Sequence, residues 1–150
     1  MLRDDINTAL KDAMKAGDKR RVSTLRLMNA AIKDRDIEAR GAGKSVSDED
    51  LLGLFQKMIK QRQESLAIYE QAKREDLASQ EREEMEIIAA YLPKQMSEDE
   101  MKTAIDAAIK DTGAAGMKDM GKVIGALRAK HAGKMDFAKV SGVVKTMLSG

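Results

Sequence analysis

The segment whose residue spacing most resembles a reactive site is residues 116–123, which read GMKDMGKV. A glycine, four residues and Gly-Lys make up most of a phosphate-binding loop, which ends in Ser or Thr because that hydroxyl binds Mg²⁺. Here Val123 takes that position, and the residues before the segment are predicted to be helical instead of a strand. We therefore expect no nucleotide site. The first amides of the following helix, with Lys118 and Lys122 beside them, still suit one phosphate of a nucleic acid.

Side chains able to act as nucleophiles, bases or metal ligands are scarce. The chain has no cysteine and a single histidine, His131, which we place on the surface near a helix C-terminus. A serine nucleophile would lack an obvious base to activate it. The one dense carboxylate cluster comprises Glu81, Glu83, Glu84 and Glu86. Because a charge run on a helix is usually a solvated face, we predict no catalytic residue, no metal site and no cofactor.

Two arrangements of cations are more informative. The first lies on a predicted helix over residues 19–40, where cations recur every seven residues; it consists of Lys19, Arg26, Lys33 and Arg40. Seven residues are nearly two helical turns, so the four side chains fall close to one line along the helix. Such a row suits a nucleic-acid backbone. The alternative, a solvated face partly neutralised by Asp34, Asp36 and Glu38, is the one that the sequence favours.

The second arrangement crowds the C-terminal part of the chain. It consists of Lys118, Lys122, Arg128, Lys130, Lys134, Lys139 and Lys145, and the acids after residue 111 are only Asp119 and Asp136. Phosphate contact and simple solvation are equally compatible with this pattern. Neither arrangement has interleaved aromatic residues, so we expect any nucleic-acid binding to depend on shape, backbone contacts and salt concentration instead of base stacking.

The elements that must position these residues are all predicted to be helices. Apolar residues recur with the period of an α-helix, and no useful length of chain alternates with period two, so we predict an all-α fold without a sheet. Four helices are expected first, over residues 2–16, 19–40, 49–74 and about 79–91. Three shorter helices follow, over residues 98–111, about 119–131 and from the residue after the cap Asp136.

The chain's only proline, Pro93, marks the predicted domain boundary. A residue before proline is pushed out of the α region, so the preceding helix ends there. Ser97 and Glu100 then match a capping box, in which a serine side chain and a glutamate side chain satisfy each other's backbone amides. We therefore predict an N-terminal helical domain over residues 1–92 and a small three-helix domain over residues 93–150.

Composition narrows the class of protein. Hydrophobic residues make up 43% and charged residues 35% of the 150 residues, which is typical of a folded globular chain. The net charge of +2 argues against a strongly basic nucleic-acid clamp. No apolar run reaches the roughly 18 residues of a membrane span. The first residues are amphipathic and carry acids, unlike a secretory signal or a transit peptide, so we expect a cytoplasmic protein with no membrane partner.

Several stretches together resemble a known family. The patterns KQR-x-S-x₃-Y, DLA-x₂-E, YLP-K-Q and DMGKV occur in this order, and the likeness runs nearly end to end. They identify a resemblance to the YqeY family. That resemblance implies a helical N-terminal domain joined to a small helical domain, which is similar to the C-terminal tail of GatB, a component of the aspartyl/glutamyl-tRNA amidotransferase.

The resemblance also implies a function. The tail of GatB helps to hold tRNA, and the family label is a carbon–nitrogen ligase with glutamine as amido donor. This chain is too short to include the catalytic part of GatB, so only the tail's role carries over, to about residues 118–145. We therefore expect a non-catalytic accessory module that binds tRNA or a tRNA-handling complex. The alternative is a protein-interaction module whose Met-rich faces dock a partner helix; the oligomeric state is not predicted.

Overall fold

A computed structural model describes residues 1–149 and contains only helices over that range. The order is α1 (Leu2–Ala16), α2 (Lys19–Gly41), α3 (Asp48–Gln71), α4 (Glu75–Ala89), α5 (Glu98–Thr112), a short 3-10 helix (Met117–Asp119), α6 (Met120–His131) and α7 (Phe137–Ser149). The all-α prediction is confirmed. None of the described helices combines the length and the apolar character needed to cross a membrane.

The chain divides into two compact units, Met1–Leu92 and Pro93–Gly150, called unit 1 and unit 2 below. Unit 1 contains α1 to α4, whose buried side chains form one apolar core. Its largest fully buried members are Ile6, Leu25, Met28, Leu51, Phe55 and Ile88. With a single aromatic residue among them, this core is made mainly of aliphatic and methionine side chains, as the composition indicates.

Local capping sets the helix boundaries of unit 1. Gly17 ends α1 with a positive φ of 71°, a conformation that glycine adopts without steric cost. The Asp18 side chain then accepts a hydrogen bond from the Arg21 backbone N–H at 3.2 Å and begins α2. Before α3, the Ser47 hydroxyl accepts from the Asp50 N–H at 3.2 Å while the Asp50 carboxylate accepts from the Ser47 N–H at 3.0 Å. Each boundary is therefore fixed by neighbouring residues.

The junction between α3 and α4 differs from the prediction. α3 ends at Gln71 and α4 already begins at Glu75, four residues before the expected start near residue 79. Lys73 has a positive φ of 57°, which turns the chain sharply. Arg74 donates to both carboxylate oxygens of Asp76, at 3.1 and 3.0 Å, at the start of the helix. A tight turn at a non-glycine residue carries no strong sequence signal, which explains the error.

Unit 2 is a three-helix unit formed by α5, α6 and α7. Its buried core consists of Met101, Ile105, Ala108, Val123, Leu127, Met135, Val140 and Val144. The predicted capping box is present, since the Ser97 hydroxyl accepts from the Glu100 N–H and the Glu100 carboxylate accepts from the Ser97 N–H, both at 3.2 Å. Gly113 ends α5 with φ 66°, and Asp136 accepts from the Ala138 N–H at 3.0 Å to begin α7.

The segment before α5 is tied to the turn between α6 and α7. The Met96 backbone N–H donates to the Lys134 carbonyl at 2.9 Å, and the Gln95 side-chain amide donates to the Gly133 carbonyl at 2.6 Å. These bonds fix the α6–α7 turn against the start of α5. The turn and the cations around it therefore have a defined position within unit 2.

Candidate nucleic-acid interface

The segment that resembles a phosphate-binding loop is helical in the structure. Its residues form the 3-10 helix Met117–Asp119 and the start of α6, and the element before them is the helix α5. The Asp119 carboxylate accepts a hydrogen bond from the Ala115 N–H at 3.0 Å. That bond, followed by the nearby charges of Lys122 and Lys118, holds the pKa of Asp119 below its ordinary value. The Asp119 carboxylate therefore binds an amide just before this segment, and a helix, not a strand, is the element that precedes it.

Three of the predicted cations gather where α6 turns into α7. Arg128 and Lys130 lie in the last turn of α6, and Lys134 lies in the following turn. We call these three residues the turn-end cluster. All three side chains are exposed, and none forms an ion pair within residues 1–149. The Arg128 guanidinium lies 5.2 Å from the centroid of the Phe137 ring, which orients it without neutralising its charge.

His131 lies between Lys130 and Lys134 along the chain, and the charges of these two lysines affect its pKa. Its side chain is half-buried at the end of α6. Burial lowers the pKa of His131, and the positive charges of Lys134 and Lys130 lower it further. Burial and the two lysine charges both disfavour the charged imidazolium, so the pKa of His131 depends on Lys130 and Lys134 as well as on burial.

The remaining predicted cations of unit 2 are placed elsewhere. Lys118 lies in the 3-10 helix Met117–Asp119 and Lys122 in the first turn of α6. A rise of six residues along the helix, about 9 Å, separates Lys122 from Arg128. Lys145 lies in the second half of α7. Lys139 forms an exposed ion pair with Glu98 at 3.2 Å, so its charge is partly used inside the unit. The structure thus brings together part of the predicted set and spreads the rest along α6 and α7.

Charge is sorted between the helices of unit 2. α5 carries five exposed acids and two exposed lysines, Lys102 and Lys110. The acids are Glu98, Asp99, Glu100, Asp106 and Asp111. Residues 113–149 contain seven Lys or Arg residues and only two acidic residues, both aspartates. Both aspartates accept backbone hydrogen bonds. The exposed positions of α6 also include Gly121 and Gly125, where an added Cβ would meet nothing within 4 Å. The chain itself does not require glycine there, and another molecule can approach the α6 backbone closely.

The predicted cation row of α2 lies on a different unit. Lys19, Arg26, Lys33 and Arg40 are all exposed, and none of the four forms an ion pair within the described part of the chain. Asp36, which we expected to neutralise the row, instead binds the Arg3 guanidinium through two hydrogen bonds, at 2.7 and 2.5 Å. That contact is the main reason that the pKa of Asp36 lies below its ordinary value.

Sequence reasoning missed a buried ion pair in unit 1. We expected the acidic run around Glu84 to be solvated, but Glu84 is buried, with 6% of its surface exposed. Its carboxylate accepts from Arg62 Nε at 2.9 Å and from the Gln80 amide at 3.3 Å, while Arg62 also donates to the Met58 carbonyl at 3.1 Å. Since Glu84 lies four residues before the buried Ile88, helical periodicity was the signal that could have found it.

The same region perturbs a second carboxylate. Burial raises the pKa of Glu81, and the negative charge of Glu84 raises it further, while Arg62 opposes the shift. The described residues contain no group of three or more acidic or histidine side chains placed to hold a metal ion. The Arg62–Glu84 pair connects α3 to α4 and therefore has a structural role in unit 1.

Comparison with known proteins defines the family. A family profile described as "Yqey-like protein" matches residues 3–148. The chain therefore belongs to the YqeY family.

Named relatives extend this result. The chain is similar to "Altered inheritance of mitochondria protein 41, mitochondrial" of Vanderwaltozyma polyspora, with 33% identity over 74% of this chain and 62% of the relative. The protein of the same name from Saccharomyces cerevisiae is 37% identical over 55% of this chain and 44% of its own length. That from Lachancea thermotolerans is 39% identical over 55% and 43%. The chain thus spans about half the length of these relatives.

These relatives overturn one prediction. The expected cytoplasmic location is wrong, because the similar proteins carry a mitochondrial location in their names. That expectation rested on the acids and the amphipathic pattern of the first helix. Those features determine how α1 packs, with Ile6 and Ala13 buried, and they do not specify a cellular compartment.

Proposed function

We propose that this YqeY-family chain is a non-catalytic helical module that binds tRNA, or a complex that handles tRNA, through the cations of residues 118–145. The carbon–nitrogen ligase label of the family then describes the class of enzyme with which the module associates. In this proposal the chain supplies no reacting group of its own. The tRNA is held by its phosphates, and its sequence is not read.

One observation carries the proposal: most of the cations between residues 118 and 145 form no ion pair inside unit 2. Six of the seven predicted cations form no ion pair within residues 1–149, and the exposed acids of the unit lie mainly on α5. A polyanion is therefore attracted to one part of unit 2 and repelled by another, which favours one orientation. Exposed lysines without a carboxylate partner are the side chains that release counterions when they contact phosphates.

The test is a salt titration of tRNA binding with matched charge-reversal variants. The site variant is Lys118→Glu/Lys122→Glu/Arg128→Glu. The control variant is Lys11→Glu/Lys15→Glu/Lys44→Glu, which changes the net charge by the same amount at exposed positions of unit 1. The Kd of a fluorescently labelled tRNA transcript is measured by anisotropy between about 50 and 200 mM salt, where phosphate contacts change affinity most visibly. Circular dichroism shows whether each variant keeps its helices.

We expect affinity for tRNA to fall steeply with salt for the unmodified chain. The site variant loses about three phosphate contacts, so the slope of log Kd against log salt decreases by about 2 to 3 units, while the control variant changes it by less than about 1. If the unmodified chain binds tRNA without salt dependence, or does not bind it even at low salt, the proposal is wrong. Equal losses in the two variants would also contradict it, since only overall charge would then matter.

A further inference from the structure

The outward face of α2 carries an apolar pattern beside the cation row. Leu27 and Ile37 are large apolar side chains with 46% and 57% of their surface exposed. Residues 27, 30, 34 and 37 follow one another at steps of three and four, which is the spacing of a seam between two packed helices. They are Leu27, Ala30, Asp34 and Ile37. We call them the α2 seam.

The cation row flanks this seam at a fixed position of each seven-residue repeat. Arg26 and Lys33 immediately precede the seam residues Leu27 and Asp34, and Lys19 and Arg40 continue the series at both ends. In paired helices, side chains at this flanking position form ion pairs across the interface and decide which partner is accepted. Four cations without an intrachain ion pair among the described residues therefore specify acidic side chains on the opposite helix.

Two features of the seam favour a helix over a nucleic acid. A phosphate backbone offers no apolar surface to Leu27 and Ile37, whereas a packed helix removes both from water. Asp34 lies within the seam between them, where its carboxylate repels phosphates and is costly to bury without a cation. A helix that packs on the α2 seam must therefore carry acidic residues opposite the cation row and a Lys or Arg opposite Asp34.

A neighbouring groove of mixed character borders the seam. A cavity of about 470 Å³ opens between α2 and α3 and includes Leu27 in its lining. Ala31, Leu54 and Met58 add apolar surface. Most of the lining, however, is polar and consists of Asp34, Arg35, Glu38, Lys57, Gln61 and Arg62. A long side chain reaching over Leu27 from an opposing helix can enter this groove with its apolar stem against Leu27 and its polar end among these residues.

We propose that the outward face of α2 docks an amphipathic helix of a protein partner, with acidic residues at seven-residue intervals and a basic residue opposite Asp34. The row from Lys19 to Arg40 extends about 31 Å along the helix axis, so the partner helix spans about three repeats of seven residues. This surface belongs to unit 1. It goes beyond the proposed tRNA contact and does not depend on it.

The probe is a synthetic peptide of three such repeats, with Leu in the seam positions, Glu at the flanking positions and one Lys placed to face Asp34. Repulsion between its glutamates keeps the peptide from pairing with itself. A second peptide carries Lys in place of each flanking Glu and Glu in place of that Lys. Each labelled peptide is titrated with the full chain, and anisotropy gives its affinity.

We expect the acidic peptide to bind at least about tenfold more tightly than the basic one, because like charges across an interface reject the wrong partner. The variant Arg26→Glu/Lys33→Glu should reverse this preference. The variant Leu27→Ala/Ile37→Ala should weaken both peptides, and both residues are exposed enough to replace without unfolding α2. The matched control Lys11→Glu/Lys15→Glu, on the exposed side of α1, should leave the preference unchanged.

Three results would overturn the proposal. The first is the absence of any preference between the two peptides. The second is an equal effect of the α1 control and the α2 variant. The third is a loss of tRNA binding in Arg26→Glu/Lys33→Glu without a change in peptide binding, which would assign the row to phosphate contact. A failure of tRNA binding that is confined to the α6 variant concerns only the proposed function.

Discussion

Units 1 and 2 use their charged residues in different ways. In unit 1 arginines connect helices: Arg3 binds Asp36, Arg20 binds Glu83, Arg62 binds Glu84, and Arg82 binds Glu70. Two further pairs, Arg82–Glu75 and Arg74–Asp76, are local to α4 and its start. In unit 2 Lys139 and Glu98 form a solvent-exposed ion pair. The single arginine of this unit, Arg128, lies over the Phe137 ring. The planar guanidinium can hold a carboxylate through two bonds, whereas lysine is a flexible point charge that stays hydrated.

Charged residues that stabilise the fold through ion pairs between helices therefore differ from charged residues that remain available to bind another molecule. The pairs between helices of unit 1 join residues 12 to 63 positions apart in the chain, and the Arg62–Glu84 pair is largely buried. Most cations of unit 2 remain in water without a carboxylate partner among the described residues. The four cations of the α2 row also form no ion pair within the described residues, as is true of other exposed lysines of unit 1 such as Lys11 and Lys15. The arrangement of the cations distinguishes the two proposed surfaces. In unit 2 seven cations follow residue 112 with only two aspartates, and in α2 four cations recur every seven residues beside exposed apolar side chains.

The largest effect should come from the buried pair. The substitution Glu84→Ala leaves the largely buried Arg62 charge without its partner, so it should lower the free energy of unfolding by about 3 kcal/mol. The exposed neighbour Glu83 pairs with Arg20 at the surface, so Glu83→Ala should cost less than about 1 kcal/mol. Urea unfolding followed by far-ultraviolet circular dichroism measures both. Similar losses for the two variants would show that the buried and the exposed ion pair contribute equally to the free energy of unfolding, which would contradict this prediction.

A smaller, equal effect is expected from the serine caps of the two units. Ser47→Ala and Ser97→Ala each remove a side chain that accepts a backbone N–H at 3.2 Å, and each should cost about 1 kcal/mol. Equal losses would show that the two units differ in their ion pairs between helices and not in how strongly their helix caps stabilise them. Urea unfolding again gives the values. A difference well above about 1 kcal/mol between the two variants would mean that tertiary context controls the caps as well.

The exposed pair of unit 2 should contribute even less. A double-mutant cycle with Lys139→Ala and Glu98→Ala should give a coupling free energy of no more than about 0.5 kcal/mol, which decreases at high salt. This result would place Lys139 with the other available cations of α6 and α7. A large, salt-independent coupling would instead assign Lys139 to the structural charges and remove it from the proposed tRNA surface.

The smallest effect on stability concerns pH. The pKa of His131 is lowered in the folded chain, so the native state binds fewer protons than the unfolded state near its ordinary value of 6.5. The stability that this group contributes is present above about pH 6.5 and is lost as the pH falls. Because the chain has one histidine, a proton NMR titration resolves it without assignment.

The same titration reports on the turn-end cluster. The variant Lys130→Gln/Lys134→Gln should raise the pKa of His131, because two nearby positive charges are removed. Bound tRNA should raise the pKa too if its phosphates lie against these lysines. An unchanged pKa in saturated tRNA would exclude the turn-end cluster from the interface, while the start of α6 could still be tested by its own variant.

Much of the fold was predictable because its signals are local. Asp18, Ser47, Ser97 and Asp136 begin helices where their side chains can reach the next amides, and Gly113 ends one with a positive φ. The start of α4 was missed because a lysine makes the turn that a glycine usually marks. The partner of Asp36 followed from no local rule, since it is Arg3, 33 residues away.

The sequence alone determined the helices, their caps and the positions of the cations along them. These depend on residues within about one turn of each other, whose backbone geometry is the same in any helix. The tertiary structure decided which charges are neutralised. Arg20 meets Glu83 across 63 residues, and Glu84 becomes buried against Arg62 across 22. Such pairs form only when packing brings distant helices together, because desolvation and Coulomb attraction depend on distance in space and not on separation along the chain.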